Sequence, residues 1–591
     1  MFCQLQNILE RFLQQSHLDL TGCVKLAQLP DSIGSLGSLS RLLLSRCHSL
    51  KQIPGLIGKL TSLTELHLNS TAIEELPESI GSLKELRTLN ASYCASLACI
   101  PNSIGDLASL SHFDLTGCEE LAQLPDSIGS LVSLSRLFLS RCHSLTQISD
   151  WIGKLTSLTM LCLNSMTVEE LPESIGSLEK LKTLVATDCA SLTRIPNSIG
   201  DLASLSHLDL TGCVKLAQLP DSIGSLGSLS RLLLSRCHSL KQIPDLIGKL
   251  TSLTELHLKS TAIEELPESI GSLKELKTLD ASYCASLACI PNSISDLASL
   301  SHFDLIGCEE LAQLPDTIGS LVSLSRLLLS RCHLLTQISD WIGKLTSLTT
   351  LCLNSMTVEG LPESIGSLKK LKTLVATNCA SLTRIPNSIG NLASLSHLDL
   401  TGCIKLAQLP DSMGSLASLS RLFLSRCHSL RQILDWIGKL TLLTELHLYS
   451  TAIEELPESI GSLKELRTLN ASYCTSLAYI PNSIGNATCL SRLNLIECHK
   501  LAQLPDSIGS LMSLQRLSLS GCHLLRRIPD WIGKLTSLTE LHLKSMAIEE
   551  LPKSIGNMQN LRMLDISGTP IMELLDDLGI LVELQELKAS G

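Results

Sequence analysis

The sequence predicts an α/β solenoid: an open, curved stack of short parallel strands, each followed by a short helical or irregular return segment. Three observations predict it. One spacing recurs from end to end, with 25 strand segments, at His17, Arg41, Glu65, Thr88 and onward to Met563 and Glu586, always 23 or 24 residues apart. Inside each segment leucines alternate with outward polar residues, the period-2 signature of a half-buried strand. Finally, the 591 residues are 44% hydrophobic but only 3% aromatic, so the core must be assembled from many small, similar aliphatic contacts, which repetition supplies.

Taken in chain order, residues 1–15 carry Phe2, Leu5, Ile8, Leu9, Phe12 and Leu13 at helical spacing. An amphipathic capping segment over the first strand is expected there. The repeat domain follows over residues 16–591, and one unit, Leu205 to Leu226, shows its logic. Leu208 and Leu210 turn into the core while His207, Asp209 and Thr211 face out. Leu219-Pro220-Asp221-Ser222-Ile223-Gly224 then returns the chain along the far side, with proline opening a short helical turn and glycine ending it. One such unit cannot bury its leucines alone. Stacked at about 4.8 Å per strand, the units would build a concave parallel sheet on the order of 115 Å long, in a horseshoe or superhelix. Four spacings sum to a 95-residue superrepeat, and residues 16–54 and 206–244 are identical over all 39 positions. Ala91, Ala186, Ala281, Ala376 and Ala471 replace the second core leucine once per superrepeat, which thins the core locally. At the C-terminal edge Asp576 and Asp577 add charge.

Charge and composition exclude several function classes. A formal net charge of −11 offers no basic field for phosphates, so nucleic acid is not an expected partner. No apolar run approaches the roughly 18 residues of a membrane span, and the N-terminus lacks the pattern of a secretory signal. The expectation is a cytoplasmic or nuclear protein, not a secreted one, and the sequons at Asn69 and Asn90 are read as chance matches.

Of the 23 cysteines, 17 occupy one position, in the turn after the strand, where a small buried side chain is needed. Free structural thiols are expected, because in-register neighbours hold their Cβ atoms too far apart for a disulfide. The Cys-His pairs at 47–48, 142–143, 237–238, 332–333 and 427–428 point their two side chains in opposite directions, and no metal site is expected of them. Serine, histidine and aspartate recur only in rows set by the repeat, without a nucleophile elbow or a zinc-protease motif. No enzyme activity and no cofactor are expected.

Side chains leaving the concave sheet carry the information about function. Arg41, Arg136, Arg231, Arg326 and Arg421 each flank an outward apolar residue: Leu43, Phe138, Leu233, Leu328 and Phe423. Arginine beside an exposed apolar anchor is the composition of interface cores. The following strand adds Glu65 with His67, Glu255 with His257, and Glu445 with His447. These sixteen residues are the candidate partner-binding set, against the plainer reading that single exposed leucines are ordinary and arginine merely solvates the face.

The spacing and its residues identify a leucine-rich repeat. The recurring Leu-Pro-Glu-Ser-Ile-Gly-Ser-Leu-Lys-Glu-Leu at 76–86, 266–276 and 456–466, with strands ending in cysteine, resembles the repeat region of plant intracellular disease-resistance proteins of the TIR/nucleotide-binding type. It is also similar to plant Ras-group-related leucine-rich-repeat scaffolds. The first resemblance implies recognition of a protein by the concave face in plant-type innate immunity; the second implies a cytoplasmic signalling scaffold. Nucleotide switching is not implied, because Ile152-Gly153-Lys154-Leu155-Thr156 lacks the upstream glycine of a phosphate loop and has leucine where serine or threonine is required.

Overall fold

A computed structural model describes residues 15–573 and 576–590, with no side-chain account at 576 and 577. Residues 1–14 of the capping segment expected over 1–15, and the side chains of Asp576 and Asp577, therefore lie outside the described residues. The chain divides into two compact units, residues 1–300 and 301–591. The first unit holds strands β1 (His17–Asp19) to β12 (Thr278–Asp280), and the second holds β13 (His302–Asp304) to β25 (Glu586–Lys588).

Within each unit every strand pairs in parallel with its successor. The register sets each residue against its repeat equivalent: His17 against Arg41 in the first unit, Arg421 against Glu445 in the second. Most strands show the same exposure pattern, with only the central leucine or phenylalanine buried. Three residues suffice because the alternation that buries one face is satisfied by a single inward side chain, and the chain then turns to bury its next leucine.

Each rung returns through a five-residue 3-10 turn such as Asp221–Ser225; no α-helix occurs among the described residues. The proline lies one residue earlier than expected, as the residue preceding the turn. Pro220, at φ −70° and ψ 150°, uses its carbonyl to accept the first bond, from Ile223 N at 3.0 Å. Its missing N–H costs nothing there. The glycine also differs from expectation: it sits inside the turn and does not end it. Gly248, within the turn Asp245–Lys249, has no room for a side chain, since a Cβ would lie 2.6 Å from the carbonyl oxygen of Ser269 in the next rung. Glycine is needed for the close approach of successive turns, not to stop a helix.

The core is a ladder of aliphatic rows. In the rung that starts at Arg231, Leu232, Leu234, Leu240, Ile243, Ile247, Leu250 and Leu253 are all at most 5% exposed. Beside them runs a ladder of thiols. The Cys237 thiol donates to the Leu210 carbonyl of the preceding rung at 3.2 Å, and Cys47, Cys142 and Cys427 donate to Leu20, Leu115 and Leu400 in the same way. The described cysteines are free thiols. A thiol here satisfies a buried carbonyl of the preceding rung while filling a small volume, whereas Thr71, at the same position of the repeat, donates its hydroxyl within its own rung, to the Leu68 carbonyl at 2.7 Å.

Candidate functional site

All sixteen residues expected to contact a partner leave the sheet on its exposed side, and none is fully buried. Parallel register assembles them into quartets, Arg41 opposite Glu65 and Leu43 opposite His67, with Arg231, Leu233, Glu255 and His257 arranged likewise. The quartets are not equivalent, although the spacing alone makes the five arginines one series. Arg41 Nε donates to Glu65 Oε2 at 2.8 Å and Arg231 Nε to Glu255 Oε2 at 2.9 Å, with His67 and His257 Nε2 3.6 and 3.7 Å from the same oxygens. Those arginines are tied down across the strands.

In the first unit Arg136 stands opposite Met160, and in the second Arg326 stands opposite Thr350. On their other side they face His112 and His302, so no carboxylate stands directly opposite either arginine, and among the described residues no carboxylate forms an ion pair with either one. Both arginines are exposed, each with a half-buried apolar neighbour on the same strand, Phe138 or Leu328. Around Phe138 the patch widens: the His112 ring lies 5.1 Å from it, centroid to centroid. The fifth arginine, Arg421, is opposite Glu445 without an ion pair. There Phe423 is set between His397 at 5.1 Å and His447 at 4.5 Å.

Electrostatics sharpen the contrast. Burial pulls the imidazoles of His112, His207, His397 and His447 below the ordinary range. In the first three the charge of the arginine on the next strand acts in the same direction. These histidines are neutral at pH 7 and offer hydrogen bonds and ring faces, while the arginines carry the positive charge.

His112, Met160 and His397, which flank the predicted anchors, are outside the predicted set although they stand in the same columns. So are Arg516, Glu540 and His542, one superrepeat beyond His447: Arg516 pairs with Glu540, whose carboxyl it holds below the usual range, and His542 Nε2 is 3.3 Å away. Continuing the 95-residue period past 447 is the signal that finds them. Among the described residues one group of metal-ligating type comes together, Glu497, His499 and His523. Grooves at the start of the 3-10 turns, such as that lined by Gln218, Asp221, Gln242, Pro244 and Glu265, are predominantly polar. No helix among the described residues is long and apolar enough to cross a membrane.

Comparison with protein families matches residues 318–433, 399–502 and 493–590 to a leucine-rich repeat region. No curated protein matches by sequence. Among solved structures, the plant peptide hormone receptor RGFR1 in complex with RGF2 is similar over 93% of this chain and 90% of its own, at 27% identity and a TM-score of 0.55. The TLR13–ssRNA13 complex aligns over 92% and 87% at 20% identity and 0.51, and PEPR1–AtPEP1 over 95% and 87% at 23% identity and 0.50. The last two likenesses establish the fold alone: an open parallel strand solenoid.

Proposed function

We propose that this leucine-rich-repeat protein is a non-catalytic recognition module that binds a protein or peptide on the exposed face of its strands. The observation that carries the reading is the arginine that faces no carboxylate directly across the strands and stands beside a half-buried apolar residue, Arg136 with Phe138 in one unit and Arg326 with Leu328 in the other. An unpaired guanidinium can give its whole donor fork to a partner carboxylate, and the neighbouring ring or leucine supplies apolar area to be desolvated. Arg41 and Arg231 must first give up a glutamate, so they order the face more than they contact the partner. The similarity to a plant receptor solved with its peptide hormone supports a peptide-sized or protein ligand.

On the resemblance of its repeats to plant disease-resistance proteins, the partner belongs to plant-type innate immunity and the protein acts in the cytoplasm or nucleus. A second reading, favoured by the Leu-Pro-x-x-Ile-Gly signature, is a cytoplasmic scaffold of the Ras-group-related type. The test is quantitative affinity capture with the full chain against Arg136→Glu with Arg326→Glu, and separately against Arg41→Glu with Arg231→Glu. Loss of one partner with the first pair and retention with the second is the expected result. Equal capture by all three chains removes these arginines from the site, and capture of a small GTPase only when loaded with GTP selects the scaffold.

A further inference from the structure

In the second unit the repeat departs from its own pattern at neighbouring positions on two adjacent rungs. The residue before the ladder cysteine is glycine in the first rung of the five earlier superrepeats, at 22, 117, 212, 307 and 402, but it is Glu497 in the sixth. In the next rung the same position holds Arg46, Arg141, Arg236, Arg331 and Arg426, but then Gly521. After the cysteines, the first rung carries Val24, Glu119, Val214, Glu309 and Ile404 before His499; the second carries histidine throughout, ending at His523. Only in the sixth superrepeat do adjacent rungs both present histidine here, with a carboxylate between them.

These exchanges act together in space. A Cβ at Gly521 would lie 2.5 Å from Cδ of Glu497 and 2.9 Å from its Oε2, so the loss of the arginine leaves the carboxylate the space over residue 521. His499 Nε2 faces Glu497 Oε2 at 3.5 Å, and the His499 and His523 rings stack 5.3 Å apart at 13°. One potential ligand atom from each of the three residues lies within 4.8 Å of the others. The remaining nitrogen of His499 is placed as well: Nδ1 is 3.2 Å from the Gly521 carbonyl. A proton on Nδ1 donated to that carbonyl leaves the Nε2 lone pair directed at the carboxylate side, the outer-shell arrangement of a metal-bound imidazole.

We propose that Glu497, His499 and His523 form a binding site for a divalent transition-metal ion of the zinc, nickel or copper class. Two imidazoles and a carboxylate are a ligand set that suits such ions. Bonds of about 2.0–2.2 Å to a common ion would bring the three ligand atoms closer than they stand now. The movement requires only rotation of surface side chains, since His499 and His523 are exposed and Glu497 is half-buried. Three protein ligands leave a further coordination position for water or a group from a partner. Taken singly, the Cys-His pairs of the sequence offer no second ligand; here the histidines of two such pairs, His499 and His523, meet on adjacent rungs and Glu497 completes the set.

The test is calorimetric titration of the full chain with zinc chloride, repeated on His499→Gln, His523→Gln and Glu497→Gln, with circular dichroism verifying the fold. Exposed thiols at Cys23, Cys99 and Cys289 also attract zinc, so a variant with all three as serine is titrated in parallel. The expected result is one ion per chain, bound more weakly by about tenfold or more in each histidine variant and unchanged in the triple serine variant. Absence of stoichiometric binding, binding unchanged in both histidine variants, or binding lost only with the thiols overturns the proposal.

Discussion

Replacing Gly248 by alanine and, separately, Gly227 by alanine is expected to move stability in opposite directions, although both residues lie in return segments, those of two successive rungs. At Gly248 the added Cβ would meet the Ser269 carbonyl oxygen at 2.6 Å and the Ser269 Cβ at 2.8 Å. Ordinary contact begins near 3.4 Å, so the next turn must retreat by about 0.8 Å from the nearer atom. Both contacted atoms are held by backbone, and no rotamer change relieves them. Forced expansion of a close-packed site costs about 1–3 kcal/mol. One rung, ending the first unit, has Ser295 at the equivalent position, so the turn itself accepts a side chain and the lower part of that range, about 1–2 kcal/mol, is expected. Gly227 has nothing within 4 Å of a built Cβ, and its equivalents in other rungs are Val132 and Ala203. Its backbone is thus one that alanine adopts, and the substitution stabilises by about 0.4–1 kcal/mol through the unfolded chain. Long repeat arrays do not unfold as one two-state body, so the assay is native-state hydrogen exchange of the amides in residues 245–272. Gly248→Ala should accelerate exchange there by about 5–30-fold, while Gly227→Ala should slow exchange around its own rung. Equal rates in the two variants would refute close approach of successive turns as the reason for glycine.

The cross-strand ion pair gives a second prediction: a double-mutant cycle on Arg231→Ala and Glu255→Ala should return a coupling of about 0.2–1 kcal/mol, because the arginine is 48% exposed and solvent screens the pair. Native-state hydrogen exchange of the amides in residues 231–257, measured for all four chains, checks it, and zero coupling would mean that the pair does not hold the face in place. Thiol reactivity gives a third. Burial pushes the Cys142, Cys237, Cys332 and Cys427 thiols up to about 12, so iodoacetamide at pH 8 should label Cys23, Cys99 and Cys289 and leave those four ladder thiols unmodified until denaturant is added, as read by peptide mass spectrometry. The fourth concerns acid. His207 and His397 are held below the ordinary imidazole value in the folded chain, so the unfolded chain takes up their protons first. Their contribution to stability is intact above about pH 6.5 and falls as the pH drops through the folded values. The decline should be shallower in a His207→Asn, His397→Asn chain, and an unchanged pH profile would exclude these two groups.

Much of this protein was determined by the sequence alone, because a solenoid makes one-dimensional spacing into three-dimensional neighbourhood. A period of 23 or 24 residues with leucine at fixed offsets dictates which residues stack, so the strands, the core rows, the buried cysteine row and the outward columns all follow from the spacing. What the sequence left open was how side chains of adjacent rungs share space. Glycine in the turn reads as a helix stop, and only the approach of Ser269 to Gly248 shows that it marks missing volume. The spacing sets a glutamate across from Arg41, Arg231 and Arg421, and only the side-chain geometry shows that the first two are held by it while Arg421 is not. Glu497, His499 and His523 meet for the same reason. Spacing along the chain fixes which face a residue occupies; hydrogen bonds, ion pairs and ligand sets depend on distances between rungs, and those are decided by tertiary packing.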